Sequence, residues 1–390
     1  MRVAVVHDWL CNYAGSERVL EQILAIYPEA DLFTVVDFLK AEDRAWLAGR
    51  PVRTSFIQRL PFARRWFRLY LPLMPLAVEQ LDLGGYDLVI SSSHAVAKGV
   101  LTTGDQLHVS YVHTPMRYAW DMHHEYLSRP LVSRGIGSAL ARCVIHYIRF
   151  WDQATAHRVD AFVANSRFVA RRIRKTYRRE VEVIYPPVDT ETFFEHSARD
   201  DYYLCVSRLV PYKRIDLIVD AFTRTPQRRL VVIGDGPQLA ELAERAGPNV
   251  TLMGHQPRHV MRDAMQRARA FVFAAQEDFG IAVAEAQACG TPVLCYGKGG
   301  ATESVIDGQT GVFFTEQTIG SLLDAVERFE AVPDDFDPRE IRRNAERFGN
   351  DRFREEFEAM ITRLWRQFRG ESATVRPSGR KRAKTLSTGG

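Results

Sequence analysis

The stretch VFAAQEDFGIAVAEAQACGTPVLCY, residues 272–296, contains an apolar strand, a short polar turn, a helix and a second strand. Two carboxylates in it, Glu277 and Glu285, are separated by seven residues. If Phe279 to Ala282 open the helix, their free amides and the positive end of the helix dipole face any ligand at the strand end. Helical side chains lean toward the N-terminus, so both carboxylates can address one ligand. Alternatively, the two glutamates could simply be exposed to solvent, as Glu pairs on helices commonly are.

The same alternation of short apolar strands and helical patterns extends in both directions. This alternation is typical of an α/β fold with parallel sheets covered by helices on both faces. The predicted strands lie within residues 2–9, 86–93, 107–114, 161–166, 202–209, 229–236, 250–254, 270–275 and 291–296. The predicted helices cover residues 16–27, about 215–222, 238–246 and 351–368.

The chain length of 390 residues indicates two domains, because one hydrophobic core rarely organises so many. Pro186 and Pro187 end a strand and stiffen the connection, so we place the domain boundary there. Two doubly wound, Rossmann-like sheets then face each other across a cleft, where ligands bind at the carboxyl ends of strands. The predicted domains are an N-terminal domain of residues 1–185 and a C-terminal domain of residues 201–345, joined by a linker of residues 186–200. A helical segment of residues 346–369 then packs back, and a disordered basic tail covers residues 370–390.

Composition excludes several classes of protein. The net charge of +4 is too small to indicate nucleic acid as a partner. The five cysteines contain no CxxC pair, so we expect neither a disulfide framework nor a zinc site. We therefore expect a reducing, cytoplasmic compartment. We expect no secretion signal and no membrane-spanning segment. The DxD formed by Asp335 and Asp337 lies in a proline-bounded loop, and His123 and His124 are adjacent, so no metal site is predicted.

Two basic runs carry interleaved aromatic residues. The first, RTSFIQRLPFARRWFRLY, covers residues 53–70, and we interpret it as a contact with anionic lipid head groups. The second, RFVARRIRKTYRR, covers residues 167–179 and is equally compatible with a solvated helix face. Any membrane association is expected to be peripheral.

A cation pair lies in CVSRLVPYKRID, where Arg208 follows a strand and Lys213 precedes a helix. Fixed cations stabilise the charge that develops on a leaving diphosphate. Arginine grips phosphate through its planar fork, and lysine acts as a point charge, so the two could replace a divalent metal. The tight turn GDGP at Gly234 to Pro237 lets backbone approach a ligand closely.

These residues carry a family resemblance. SRLVPYKRIDLIVDAF, VVIGDGP, EDFGIAVAEAQACGTPV and GGATESVIDGQTGVFF resemble the successive donor-domain motifs of glycosyltransferase family 4, whose members are retaining enzymes of the GT-B fold. The resemblance implies that Arg208 and Lys213 hold the donor diphosphate. It places Glu277 beside the transferred sugar and Glu285 on the nucleotide ribose. Further donor contacts are implied for Gly234 and for the backbone amides of Phe279, Gly280 and Ile281.

The first half resembles the same family in HDWLCNYAGSERVLEQI, SYVHTPMRYAWD and VANSRFVARRI. Gly15 matches a loop glycine near the phosphates, although Ala14 stands where many relatives have another glycine. His113 follows a strand and is implied to lie by the donor sugar. The acceptor side is expected to include Arg117, Tyr118, Asp121, Asn165 and Arg167.

The segment YVHTPMRYAWD is similar to bacterial mannosyltransferases that build O-antigen or exopolysaccharide repeats on a lipid-diphosphate carrier. It implies transfer of mannose from GDP-mannose to a polyprenyl-diphosphate-linked glycan, without metal or other cofactor, at the cytoplasmic face of the cell membrane. A UDP-sugar donor remains open. A sugar-nucleotide epimerase and a non-catalytic two-lobed binding protein are the alternatives.

Overall fold

The computed structural model describes residues 1–123, 135–195, 199–332 and 335–370, without the side chains of residues 135 and 136. The predictions for His124 and for the tail beyond Gly370 lie outside these residues.

The first sheet contains seven strands among the described residues, all parallel, in the order β3-β2-β1-β4-β5-β6-β7. The strands are β1 Val3–His7, β2 Asp31–Thr34, β3 Val52–Thr54, β4 Leu88–Ser93, β5 Leu107–Val112, β6 Ala161–Ala164 and β7 Val181–Val183. The central strands β1, β4 and β5 are buried along their whole length because helices cover both faces.

Helices α1 Gly15–Ile26, α2 Ala63–Trp66, α3 Met74–Glu79, α4 Gly135–Thr155 and α5 Arg167–Tyr177 accompany this sheet. Helix α1 buries Val19, Leu20 and Ile23 on one face, the spacing expected for a crossover helix on a sheet. Short 3-10 turns cover Ala41–Asp43, Ala45–Leu47, Phe56–Arg59, Phe67–Leu73, Ala97–Gly99 and Ala156–Arg158, and a further one in the second half covers Pro211–Lys213.

The second sheet contains six parallel strands among the described residues, in the order β10-β9-β8-β11-β12-β13. They are β8 Tyr203–Val206, β9 Leu230–Ile233, β10 Val250–Leu252, β11 Ala270–Phe273, β12 Val293–Tyr296 and β13 Gly311–Phe314. Its helices are α6 Ile215–Thr223, α7 Leu239–Arg245, α8 Arg258–Arg267, α9 Ile281–Ala288, α10 Ala301–Ser304, α11 Ile319–Ala331 and α12 Pro338–Glu346. Helix α9 begins at Ile281, two residues later than predicted, because Gly280 adopts a left-handed conformation before it.

The last helix, α13 Asn350–Phe368, returns to the N-terminal half. Its Phe353 and Phe357 are fully buried in the apolar cluster formed by α1 and the first sheet. Two doubly wound sheets with a C-terminal helix packing back confirm the predicted architecture. The first sheet ends at Val183 and the second begins at Tyr203, and the finer domain limits remain predictions. In the part of the chain that the structure describes, no helix is long and apolar enough to span a bilayer.

Candidate active site

A cavity of about 380 Å³ opens between the two sheets, where β5, β6, β8 and β11 end. Many of the residues predicted from sequence meet in it. Those that line it are Gly15, His113, Asn165, Arg208, Lys213, Glu277, Phe279, Gly280 and Ile281. The cavity therefore combines side chains that lie far apart in the sequence.

Lys213 and Glu277 form an ion pair in this cavity, from Nζ to Oε1. Burial alone would raise the pKa of Glu277, but Lys213, Arg117 and Arg208 together hold it below its ordinary value. Glu277 is therefore ionised at neutral pH. Arg208 is exposed at the cavity edge and makes no ion pair with any described residue, so its guanidinium can receive an anion.

Glu285 is buried, and its Oε1 pairs with a guanidinium nitrogen of Arg18 on helix α1. The pair joins the two halves of the chain across the cleft. Glu285 is not among the residues that line the cavity of about 380 Å³. Sequence analysis missed Arg18, because nothing in its local pattern indicates a partner in the other domain.

Asp278 accepts two arginines from the N-terminal half. Arg117 Nη2 lies 2.6 Å from Oδ2, and Arg172 Nη1 lies 2.6 Å from Oδ1. Arg172 also pairs with Asp121, and the Asp278 carbonyl accepts the Ser166 hydroxyl at 2.5 Å. Burial opposes the charge of Arg117, but Asp278 and Glu277 raise its pKa above the ordinary value. Asp278 and Arg172, which sequence analysis did not select, thus fasten the two domains together.

A second cavity, of about 760 Å³, adjoins the first and shares Tyr212 and Asp278 with it. Two predicted acceptor-side residues, Arg117 and Asp121, line it. Tyr118 and Arg167 line neither cavity. The second basic run has structural partners, since Glu303 accepts the Arg167 amide at 2.8 Å and Arg172 contacts Asp278.

His113 belongs to a cluster of three histidines, with ring centroids 6.1 to 6.4 Å apart. Its Nε2 lies 2.8 Å from Ser92 Oγ, which also contacts His7 Nδ1 at 3.1 Å. Burial, reinforced by His94 and His7, lowers the pKa of His113 well below its ordinary value. His113 is therefore neutral and can exchange hydrogen bonds with a polar ligand. Asn165 braces it by donating to the His113 carbonyl at 2.9 Å.

His94, the third member of this cluster, also lines the cavity. Its Nδ1 lies 3.1 Å from Oδ2 of the buried Asp8. The Asp8 carboxylate also accepts the backbone amides of residues 94–97, at 2.5 to 2.9 Å. This loop is therefore held firmly, although nothing in its own sequence identified it as part of the site.

Two glycines of the site are required by backbone geometry. Gly280 has φ +87° just before α9, and Gly234 has φ +146° at the end of β9. A Cβ on Gly234 would lie 1.8 Å from the Ser207 carbonyl oxygen. Gly234 lines neither cavity, so its conformation serves close packing of strand ends.

Among the described residues, no group of three His, Cys, Asp or Glu side chains is arranged to hold a metal ion. Asp337 of the DxD sequence caps α12 by accepting the Arg339 amide at 2.9 Å. His123 contacts Arg149 at 3.1 Å.

Comparison with known families identifies the two halves. Residues 15–192 match the family described as Glycosyltransferase Family 4, and residues 189–348 match Glycosyl transferases group 1. Each half of this chain thus matches a glycosyltransferase family. The cavity of about 380 Å³ lies between the two matched regions.

Among curated proteins, the chain is similar to D-inositol 3-phosphate glycosyltransferase of Mycobacterium leprae (strain Br4923), at 29% identity. The aligned part is 45% of this chain and 47% of that protein, so the chain matches about half the length of this relative.

Solved structures resemble the chain over nearly its whole length. Anabaena Alr3699/HepE in complex with UDP and glucose has a TM-score of 0.70 at 17% identity, covering 92% of this chain and 99% of that one. The lipopolysaccharide outer core galactosyltransferase WaaB, in its apo form, has a TM-score of 0.63 at 19% identity, covering 93% and 100%. The fold is GT-B, as predicted.

Proposed function

We propose that this chain transfers a hexose from a nucleoside-diphosphate sugar to a lipid-linked glycan, with retention at the anomeric carbon. The observation that carries the proposal is the cation pair Arg208 and Lys213 beside the ionised Glu277, in a cavity between two glycosyltransferase domains. The cations face the position that a donor diphosphate would occupy.

The proposed chemistry needs charge stabilisation and positioning more than a protein nucleophile. Arg208 and Lys213 stabilise the leaving diphosphate, one of whose oxygens accepts the proton of the attacking acceptor hydroxyl. Lys213 already neutralises Glu277, so Glu277 orients both the lysine and the sugar hydroxyls. Neutral His113 contacts the sugar without adding charge. No step in this scheme requires a metal ion.

Two nucleotide sugars are proposed as the donor. The proposal that mannose is transferred from GDP-mannose rests on the segment YVHTPMRYAWD, residues 111–121. A UDP-sugar gains support from HepE, whose structure contains UDP and glucose. Glu285 is proposed to bind the ribose of either nucleotide, with Arg18 as its partner in the absence of donor.

The acceptor is proposed to be a polyprenyl-diphosphate-linked glycan of bacterial surface polysaccharide, such as lipopolysaccharide or exopolysaccharide. The adjoining cavity of about 760 Å³ offers room for it beside Arg117 and Asp121. The exposed basic stretch 53–70 would hold the protein peripherally at the cytoplasmic face of the membrane.

Turnover tests the proposal. The chain is incubated with GDP-mannose or UDP-glucose and membrane lipid extract, and nucleoside diphosphate, free sugar and glycolipid are separated. Transfer of label to glycolipid is the expected result. A free sugar-nucleotide isomer formed without acceptor would identify an epimerase instead. Nucleotide-sugar binding with neither product would identify a non-catalytic binding protein.

A further inference from the structure

Exposed large apolar side chains are concentrated on two parts of the N-terminal domain. The first is the predicted basic stretch and its continuation into α3, and the second is helix α4, which sequence analysis did not select. On α4 the exposed fractions of Leu140, Tyr147 and Phe150 are 64%, 47% and 72%. In the first part the exposed side chains are Phe56, Phe62, Trp66, Leu69, Leu73 and Leu76, with exposed fractions from 39% to 79%.

On α4 the exposed side chains form a stripe. Leu140, Cys143, Tyr147 and Phe150 are exposed at steps of three, four and three residues, which is one face of a helix. In the first part, the exposed side chains follow one another along α2, the 3-10 turn Phe67–Leu73 and α3, namely Trp66, Leu69, Leu73 and Leu76. We call these two rows of exposed side chains the apolar ridges.

Helices α3 and α4 pack on the same apolar cluster. Met74 and Val78 of α3 are buried in the same apolar cluster as Ile148 and Trp151 of α4. The Trp151 indole donates to Glu79 Oε1 at 3.0 Å and ties the elements together. We call the nine exposed side chains, three on α4 and six within residues 56–76, the N-domain apolar surface.

The charges within the two segments that carry the N-domain apolar surface have one sign, and Glu79 and Asp152 follow these segments. The sequence has no Asp or Glu in residues 44–78 or in residues 135–151. Exposed arginines accompany both ridges, namely Arg59, Arg64, Arg65, Arg68 and Arg142. In the other basic run, by contrast, Arg172 and Arg179 are engaged with protein partners.

We propose that the N-domain apolar surface docks on a bilayer containing anionic lipid, with α4 inserted beside residues 56–76. Moving the apolar side chains out of water lowers the free energy, and the neighbouring arginines can pair with lipid phosphates. The proposal extends the membrane contact of the proposed function to a second element. The docking itself is argued from the surface, and only its role in bringing the enzyme to a lipid-linked acceptor rests on the proposed function.

A fluorophore on Cys143 tests the docking directly. Cys205, Cys289 and Cys295 are buried, so Cys11→Ser leaves Cys143 as the accessible thiol. An environment-sensitive label there is expected to shift to the blue with vesicles of phosphatidylcholine and phosphatidylglycerol, and much less with phosphatidylcholine alone. The control carries the label on Lys175→Cys in a background with both Cys11→Ser and Cys143→Ser. An unchanged spectrum at Cys143, or an equal shift at the control, would overturn the proposal.

Sedimentation with the same vesicles gives a second measurement. Leu140→Gln with Phe150→Gln is expected to weaken binding about tenfold or more, because less apolar surface leaves water. The matched control is Met253→Gln with Ile306→Gln, two exposed apolar residues of the C-terminal domain. Equal binding by both double variants contradicts the proposal.

Nucleotide binding separates this proposal from the proposed function. All variants are tested for stabilisation by GDP and UDP. A wild-type chain that binds nucleotide but no vesicle refutes the docking surface and leaves the transferase intact. A stable dimer without vesicles that buries the Cys143 label also refutes it, since a second copy would then cover the surface.

Discussion

Charge at single residues carries the proposed chemistry. Replacing either cation, by Arg208→Ala or Lys213→Ala, is expected to lower turnover about a hundredfold or more, because the leaving diphosphate loses a fixed positive charge. The folded state is expected to persist, since both side chains border a cavity. Initial rates of nucleoside diphosphate release measure the effect.

Lys40→Ala is the matched control, because Lys40 is exposed and its ion pair among the described residues is with exposed Glu42, at 3.2 Å. Its rate should equal that of the wild type. Normal turnover in Arg208→Ala or Lys213→Ala would remove these residues from the mechanism.

The buried His108 is expected to make the free energy of unfolding depend on pH. Burial, aided by nearby Lys98 and opposed by the backbone near Arg158, lowers the pKa of His108 to about 4. The unfolded chain binds a proton near pH 6.5, so it holds more protons than the folded state between that pH and about 4. The free energy of unfolding therefore falls as pH falls through this window, by on the order of 3 kcal/mol from His108.

Urea unfolding near pH 7 and near pH 5 checks this expectation. His108→Gln should lose less stability than the wild type over the same interval, since glutamine does not titrate. His146→Gln, at an exposed position of α4, should behave as the wild type does. Equal pH dependence in all three proteins would show that His108 is not held neutral.

Sequence and structure agree at the residue scale where motifs are local. Arg208, Lys213 and Glu277 belong to compact motifs that end strands, and the structure brings them into one cavity. Arg18 was not predictable, because its partner Glu285 lies 267 residues away. Such pairs depend on how two domains face each other, which no local pattern encodes.

At the scale of elements, helix α13 joins the end of the chain to the N-terminal core. Phe357 is fully buried there, with its ring centroid 6.3 Å from that of Tyr111 on β5. Phe357→Ala is expected to lower the free energy of unfolding by about 3 to 5 kcal/mol, because it leaves a cavity in the core. Urea titration measures the change.

Glu358→Ala, an exposed change on the same helix, is its control and should alter stability by less than about 0.5 kcal/mol. A mild effect of Phe357→Ala would mean that α13 does not complete the N-terminal core.

Strands were predictable when they were apolar along their length. The central strands β1, β4, β5, β8, β9, β11 and β12 fall within predicted segments. The strands β2, β3 and β13 were missed, whereas β7 is the strand that was predicted to end at Pro186 and Pro187. β3 has three residues and is only partly buried, so its composition carries little apolar signal.

At the scale of the molecule, Asp278 holds the domains together. Asp278→Asn removes the carboxylate that Arg117 and Arg172 share at a largely buried contact, and we expect a loss of about 2 to 3 kcal/mol. Urea unfolding measures this loss. Asp324→Asn is the control, because Asp324 pairs with Arg328 on an exposed helix face and should contribute below about 1 kcal/mol. Equal effects of the two changes would deny Asp278 a role in domain docking.

Nucleotide binding by the whole chain tests the central claim most directly. Thermal unfolding of the wild type and of a variant with both Arg208→Ala and Lys213→Ala is followed with GDP, UDP and ADP. A ligand that binds only the folded state raises its stability. We predict that GDP or UDP raises the wild-type melting temperature and that the double variant loses this response. No shift with any nucleotide, or an equal shift in both proteins, would contradict the account.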